Sequence, residues 1–313
     1  MKIQKQTYHI FYNPLSGNRT GKECVENIKR MLGKAETKCY NLLTCEKLPE
    51  IVKYIPKEEH ILITGGDGTL NHFVNEMEVD GLPNRIYYYP AGSGNDFIKD
   101  VCPEGMERPD DIRDYISGLP IVKVNGNSFY FLNGIGFGLD GVCCEIGNEK
   151  RKKSRKPVHY TAIALKNILF GYKPQKAVIE VDGKTYHFHK VWLATTMFGK
   201  YLGGGMMFAP DQKRKKNGKV TCMVMHNTGK LRILYMFPKV FQGKHGRFKK
   251  RICFLEGNKI RVTYEHPTSM QMDGETIREV REYTVCAGNY LEDVPHCGRE
   301  DDPGNGVQSV ASP

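Results

Sequence analysis

The run Ile61-Leu62-Ile63-Thr64-Gly65-Gly66-Asp67-Gly68-Thr69-Leu70-Asn71 passes from an apolar segment into three glycines and an aspartate, and then into a helical pattern. Glycine lets a backbone approach a phosphate closely. The first turn of a helix aims free N–H groups and the positive end of its dipole at an anion. Asp67 alone would repel phosphate, so its presence implies a Mg²⁺ ion between the carboxylate and a nucleotide. The bland alternative is a tight strand-to-helix turn with Thr69 as N-cap. A second glycine run follows the next apolar segment, Pro90-Ala91-Gly92-Ser93-Gly94-Asn95-Asp96-Phe97. Ser93 and Asn95 can donate to phosphate or ribose, and Asp96 adds another carboxylate. A third run, Tyr12-Asn13-Pro14-Leu15-Ser16-Gly17-Asn18, with Arg19 and Lys22 after it, supplies amides, a hydroxyl and cations. Neither G-x-x-x-x-G-K-[ST] nor a G-x-G-x-x-G fingerprint opening a first helix occurs, so the phosphate logic is familiar but the motif differs.

The elements that must position these loops alternate along the first 120 or so residues. Residues 8–12, 38–43, 60–64 and 85–89 read as strands, and 21–32, 48–55 and 70–77 as helices. Repeated β-then-α order implies a parallel sheet covered by helices. Ligands of such sheets bind at the loops leaving the carboxyl ends of the strands, where these glycines lie. From about residue 122 the character changes. Segments 122–124, 128–132, 176–181, 185–189, 191–197, 220–226, 259–264 and 283–287 read as strands, with Asp182-Gly183 as a hairpin turn. Helical pattern persists only in 159–170 and 231–241, the latter interrupted by Pro238. The fold class expected is α/β plus β. A parallel-sheet nucleotide domain spans 1–122, a mostly antiparallel β-sandwich domain spans 123–292, and a polar tail follows over 293–313.

Composition bounds the partners. A net charge of +11 over 313 residues points to an anionic partner. Three basic runs, 150–156, 213–219 and 244–251, fall in the second half. Each surface Lys or Arg contributes about 1 kcal/mol toward an anionic bilayer, although any one run also reads as a solvated loop. They carry little aromatic interleaving, which argues against nucleic acid. Residues 231–241 read as core packing in preference to a membrane wedge. The ten cysteines are scattered without a C-x-x-C pair, as expected of reduced thiols in a cytoplasmic protein. No secretory h-region opens the chain, and no stretch approaches the roughly 20 apolar residues that span a bilayer. A lipid substrate would be reached from the water side.

The motifs N-P-x-S-G, G-G-D-G-T-L-N and P-x-G-S-G-N-D-F together resemble the diacylglycerol kinase catalytic family, which includes sphingoid-base and ceramide kinases and is more distantly similar to NAD kinases. The likeness continues through Asn133-Gly134-Ile135-Gly136-Phe137-Gly138-Leu139-Asp140, Gly203-Gly204-Gly205 with Pro210, and Met272-Asp273-Gly274-Glu275. The resemblance implies an NAD kinase-like nucleotide domain, ATP and Mg²⁺ in the interdomain cleft, and a lipid entering from the β domain. It carries over Asn13, Gly17, Gly66, Asp67, Gly68, Thr69, Asn71 and Ser93 as nucleotide contacts, with Ser16, Leu70, Asn95 and Asp96 in the same runs and Thr44 on the adenosine side. It casts Asp273 as the base that deprotonates the lipid hydroxyl, with Glu275 supporting it and Asp67 as the competing base. Asp140 becomes a candidate headgroup contact. Read from the residues alone, Asp273-Gly274 is ordinary β-turn chemistry. The sequence departs from the family at 210–219, where lysines and an asparagine replace the carboxylates that hold a structural Mg²⁺; that metal is expected to be absent, with Asp211 a weak alternative ligand. The implied activity is transfer of the ATP γ-phosphoryl group to diacylglycerol, giving phosphatidic acid for phospholipid synthesis at an anionic membrane surface. A sphingoid-base or ceramide kinase, an NAD kinase-like enzyme and an inactive lipid binder are the alternatives.

Overall fold

A computed structural model describes residues 6–77, 79–153 and 158–288. The strands Glu36–Asn41, Thr7–Tyr12, His60–Gly65, Ile86–Pro90 and Asp110–Asp111 form one sheet in that order. The first four are parallel and the short last one is antiparallel. Five of the six residues of His60–Gly65 are buried, as a central strand covered on both faces requires. Tyr12 pairs with Thr64, and Gly65 with Pro90, so three strands end level and release their loops at one edge.

The second sheet runs Ile252–Gly257, Val220–Met225, Leu193–Met197, Gly134–Gly138, Lys259–Met272, Glu275–Cys286, Ile121–Val124, Asn127–Tyr130. Among the described residues all its pairings are antiparallel. Lys259–Met272 is the strand that bends the sheet. Its first part pairs with Gln175–Val181 and its last part with Gly134–Gly138, with register shifts between Thr263 and Met270. Pro267 lies in that irregular stretch, which is where a strand tolerates a residue without an N–H. The pattern read from sequence therefore stopped at 264, eight residues short of the strand's end at Met272.

A helix over Leu139–Lys153 was not expected. Gly141 and Gly147 weaken the helical signal, yet both are packing devices. A Cβ on Gly141 would lie 1.9 Å from the Ser269 carbonyl oxygen, and one on Gly147 would lie 2.2 Å from the Tyr160 ring. The basic run at 150–156 thus begins as the last turn of a helix, where cations complement the dipole; residues 154–157 lie outside the described residues. The Lys230–Phe241 helix continues through Pro238. It buries Ile233, Met236 and Val240, as core packing predicts, but leaves Leu231 and Tyr235 exposed. The expected tail also lies outside the described residues. The nine cysteines among them are free thiols, and no described helix is long and apolar enough to cross a membrane.

Candidate active site

The three glycine-bearing loops touch one another at the edge where their strands end. A Cβ on Gly92 would stand 2.5 Å from the Gly66 Cα, so the first and second loops cross backbone to backbone and only glycine allows it. Gly17, at φ +57°, sits where a Cβ would meet the Ala91 carbonyl oxygen at 2.4 Å. The Ser16 hydroxyl lies 3.4 Å from that of Thr69. Behind this floor the Asp67–Glu76 helix begins, with no side-chain cap over its first amides.

Asp67 ties the loops together. Its Oδ2 accepts from the Asp96 amide at 3.0 Å and its Oδ1 from the Phe97 amide at 2.9 Å, so it caps the start of the Asp96–Val101 helix. Asn133 of the β domain adds a long Nδ2 contact to Oδ1 at 3.4 Å. Asp96 is buried, and its Oδ2 accepts from the Gly204 amide at 2.7 Å, which links the nucleotide domain to the glycine-rich loop of the other domain. Its Oδ1 is buried without a hydrogen-bond partner and lies 3.8 Å from Lys99 Nζ. Burial, and then the neighbouring Asp67 charge, raise the Asp96 carboxyl to about 6. Both carboxylates flank Gly94: a Cβ there would stand 3.5 Å from Asp67 Oδ2 and 3.9 Å from Asp96 Oδ2.

Asp273 occupies the first position of the two-residue turn between Met272 and Glu275, at φ +46°, with Gly274 at +94°. This is the I′ geometry that such a hairpin favours. The turn reading and the site reading hold at once, because the side chain points back into the domain junction. Its Oδ1 accepts from the amides of Asn133 (2.8 Å) and Gly134 (3.1 Å). Its Oδ2 accepts from the Leu132 amide (2.5 Å) and from Asn71 Nδ2 (2.8 Å). Burial raises the carboxyl, the three backbone bonds oppose it, and the Asp67 charge adds to the rise; the result is about 6. Glu275 is exposed and faces the first loop, with its Oε1 3.8 Å from where a Gly68 Cβ would be.

Several residues expected to touch a nucleotide do other work. Leu70 is fully buried in the core, and Asn71, at 6% exposure, holds Asp273 and the Tyr130 carbonyl. The reason is helical phase. The helix starts at Asp67 and not at residue 70, so positions 70 and 71 turn inward with Phe73 and Val74. Asn13 Oδ1 accepts from the Leu15 amide, and Asn95 Oδ1, at the left-handed φ of +50°, accepts from the Gly92 amide; both side chains fix their own loops. Ser93 is exposed at the opening. Thr44 is exposed beyond the edge strand, its hydroxyl donating to the Asn41 carbonyl at 3.3 Å. Asp140 lies apart from these groups, over Gly136. It accepts from Gln271 Nε2 at 3.2 Å, and burial raises it to about 6.

Arg214 was missed. It belongs to the basic run expected at the surface, yet its side chain is only 4% exposed. Its Nε donates to Asp100 Oδ2 at 3.0 Å, Nη1 to the Leu132 carbonyl at 2.7 Å and Nη2 to Asn133 Oδ1 at 3.0 Å. The guanidinium also lies over the Phe97 and Phe198 rings, 4.9 and 5.2 Å from their centroids. Two of the residues it grips, Leu132 and Asn133, hold Asp273, and Asn133 also reaches Asp67. One arginine among lysines was the available signal, since a planar fork suits buried pairs where an ammonium does not.

The family model of the diacylglycerol kinase catalytic domain matches residues 7–119. That of the YegS C-terminal NAD kinase beta sandwich-like domain matches residues 133–292. The chain belongs to the diacylglycerol kinase catalytic family. That membership makes it a phosphotransferase of the lipid-kinase type, and the two-domain fold, a parallel-sheet NAD kinase-like domain followed by an antiparallel sheet-rich one, agrees with it. A diacylglycerol kinase of Bacillus subtilis (strain 168) is 25% identical over 280 residues, covering 85% of this chain and 88% of its own. A Staphylococcus aureus (strain Newman) protein provisionally named a lipid kinase is 24% identical over 288 residues, covering 85% and 89%. Among solved structures, one provisionally named a diacylglycerol kinase, from Bacillus anthracis str. Sterne, superposes with a TM-score of 0.64 at 20% identity, covering 91% of this chain and 94% of its own. It is similar in fold.

The residues present fit a Mg²⁺–triphosphate group. Two carboxylates converge on Gly94, one oxygen of the pair is buried and unpartnered, and an uncapped helix start adjoins them. Among the described residues, in this cleft or elsewhere, no three His, Cys, Asp or Glu side chains come together to hold a metal.

Proposed function

We propose that the protein transfers the γ-phosphoryl group of ATP to a primary hydroxyl of diacylglycerol, releasing ADP and phosphatidic acid. The work takes place at the cytoplasmic surface of a membrane to which the enzyme binds peripherally. The observation that carries this reading is the paired Asp67 and Asp96 carboxylates at a floor made by two crossing glycine loops. Gly66, Gly68, Thr69 and Gly92 line the phosphates, the amides at the start of the Asp67–Glu76 helix face them, and Ser16, Gly17 and Ser93 close the sides. Thr44 and Asn13 border the nucleoside end. Asp67 and Asp96 would hold Mg²⁺, which, when bound, neutralises charge on the phosphate oxygens.

The chain's own groups then supply position and proton transfer. The lipid oxygen forms a bond to the γ-phosphorus as the bond to the β–γ bridging oxygen breaks, and the hydroxyl proton passes to Asp273. A carboxyl raised to about 6 is a fitting acceptor near neutral pH. Its four N–H donors require one of them, the Asn71 amide being the side chain among them, to give way as the proton arrives. Glu275 faces the same opening and supports the incoming hydroxyl.

Incubation with labelled ATP, Mg²⁺ and a mixed lipid extract tests the assignment. Labelled phosphatidic acid is the expected product. Labelled sphingoid-base or ceramide phosphate moves the substrate within the family, labelled NADP overturns the lipid reading, and no labelled product at all marks an inactive lipid binder.

A further inference from the structure

An open basin of about 600 Å³ lies away from the cleft, lined by Lys190, Lys230, Arg232 and Arg251 and by no acidic side chain among the described residues. It is built on the start of the Lys230–Phe241 helix, whose N-cap Gly229 contributes no side chain, so the first-turn amides face it uncapped. Thr228 also lines the basin. It is 7% exposed, and its hydroxyl is buried without a hydrogen-bond partner. A buried hydroxyl left unpaired costs about 1–3 kcal/mol, so a polar ligand here satisfies a group that the protein does not. Cations, uncapped amides and an orphan hydroxyl together describe a phosphate site.

The rim is apolar. Leu231 is 81% exposed and Phe170 is 82% exposed. The two segments carrying them are tied together, because Lys230 Nζ donates to the Leu169 carbonyl at 2.6 Å. Two large bare hydrophobics beside a pool of positive charge match a molecule that has an anionic head and an apolar body.

We propose that this basin binds the phosphate of an anionic phospholipid headgroup while Leu231 and Phe170 enter the acyl boundary, docking the enzyme on the bilayer at a point separate from the cleft. The register supports the separation. Leu193 pairs with Gly138 and Met225 at the basin end, whereas Met197 pairs with Gly134 at the Asp273 end. Four residues of strand span about 13 Å. The inference rests on the reading that the substrate is presented in a membrane, and its test uses no catalysis.

The full chain is sedimented with phosphatidylcholine vesicles containing or lacking phosphatidylglycerol. Partitioning to the anionic vesicles is expected to fall about fivefold for each of Lys190→Ala and Arg232→Ala, and on the order of tenfold for the Phe170→Ala/Leu231→Ala pair. Thr228→Val removes the orphan hydroxyl, so it should weaken vesicle binding while leaving the thermal midpoint unchanged or higher. Phosphorylation of a short-chain, water-dispersed diacylglycerol should be the same in all four variants. If the cation variants partition as the wild type does, the proposal fails. It also fails if inorganic phosphate binds the basin with the same variant dependence while the apolar pair has no effect on vesicles, which marks a free-phosphate site. A wild type that binds anionic vesicles but phosphorylates only a soluble metabolite keeps the docking site and removes the lipid-kinase reading.

Discussion

Replacing Arg214 by methionine tests whether one buried cation holds the back wall of the cleft. The wild-type guanidinium donates to Asp100, to the Leu132 carbonyl and to Asn133 Oδ1, and it lies over two phenyl rings. Methionine keeps much of the contact with Phe97 and Phe198 but leaves the Asp100 carboxylate, 3% exposed, without its partner. Breaking a buried pair on one side costs about 3–5 kcal/mol, a large part of the 5–15 kcal/mol that holds a typical domain. The urea midpoint of Arg214→Met should fall accordingly, with an unchanged slope if unfolding stays two-state. The double variant Asp100→Leu/Arg214→Met removes both charges and should recover most of that loss, since apolar replacement of a whole buried pair is often close to neutral. Its phosphoryl transfer should nevertheless stay at least about tenfold down in kcat. Asn133 has lost the donor that orients it, and Asn133 presents its amide to Asp273 and its side chain to Asp67. A single variant within about 1 kcal/mol of wild type, or a double variant no more stable than the single, refutes the argument.

The remaining expectations concern the loops and carboxylates. Gly92→Ala drives a Cβ to 2.5 Å from the Gly66 Cα; the loops must part, so ATP affinity should drop by tenfold or more in a binding titration while circular dichroism stays native. Asp67→Asn should abolish transfer in a protein that still folds, with about 1–3 kcal/mol lost because an amide nitrogen would meet a backbone N–H; full activity in this variant ends the kinase assignment. The Asp96 carboxyl lies raised at about 6 when folded, so the folded state binds that proton more tightly than the unfolded chain. Its contribution to stability is therefore complete below about pH 4 and is lost as pH rises through 6, by about 3 kcal/mol; Asp96→Asn should flatten that slope in urea titrations, and an unaltered slope counts against the burial argument. Transfer should fall as pH drops through about 6, where Asp273 becomes protonated, and a pH–rate profile with no acid limb there removes Asp273 as the base.

How far the sequence reached can be judged residue by residue. The loops were legible because crossing backbones at Gly66 and Gly92 leave a mark, glycine at fixed offsets, that nothing else in a strand-to-helix turn demands. The parallel sheet was legible for a similar reason, since parallel strands buried on both faces read as unbroken apolar runs. The direction of individual side chains was not. Asn71 looked like a nucleotide contact in the first turn of a helix until the helix start at Asp67 fixed its phase and turned it toward Asp273, 202 positions away in the chain. Arg214 looked like one more surface cation because a run of like charges carries no periodicity, and its partner Asp100 is 114 positions distant.

These two misreadings have one cause, and it bears on mechanism. Three buried carboxylates at the domain junction, Asp96, Asp100 and Asp273, are each held by a donor from the other domain or from the junction: Gly204, Arg214, and the Leu132–Gly134 amides with Asn71. Charge is costly to bury unless it is paired, so these bonds make the relative position of the two domains part of the electrostatics of the cleft. A change that lets the domains separate would hydrate Asp96 and Asp273, whose carboxyls burial raises, and lower their proton affinity together. The acid limb of the pH–rate profile is thus also a gauge of closure: in Arg214→Met the loss of a cation that acts on Asp273 moves the limb toward higher pH while the domains stay together, and hydration moves it toward lower pH if they part.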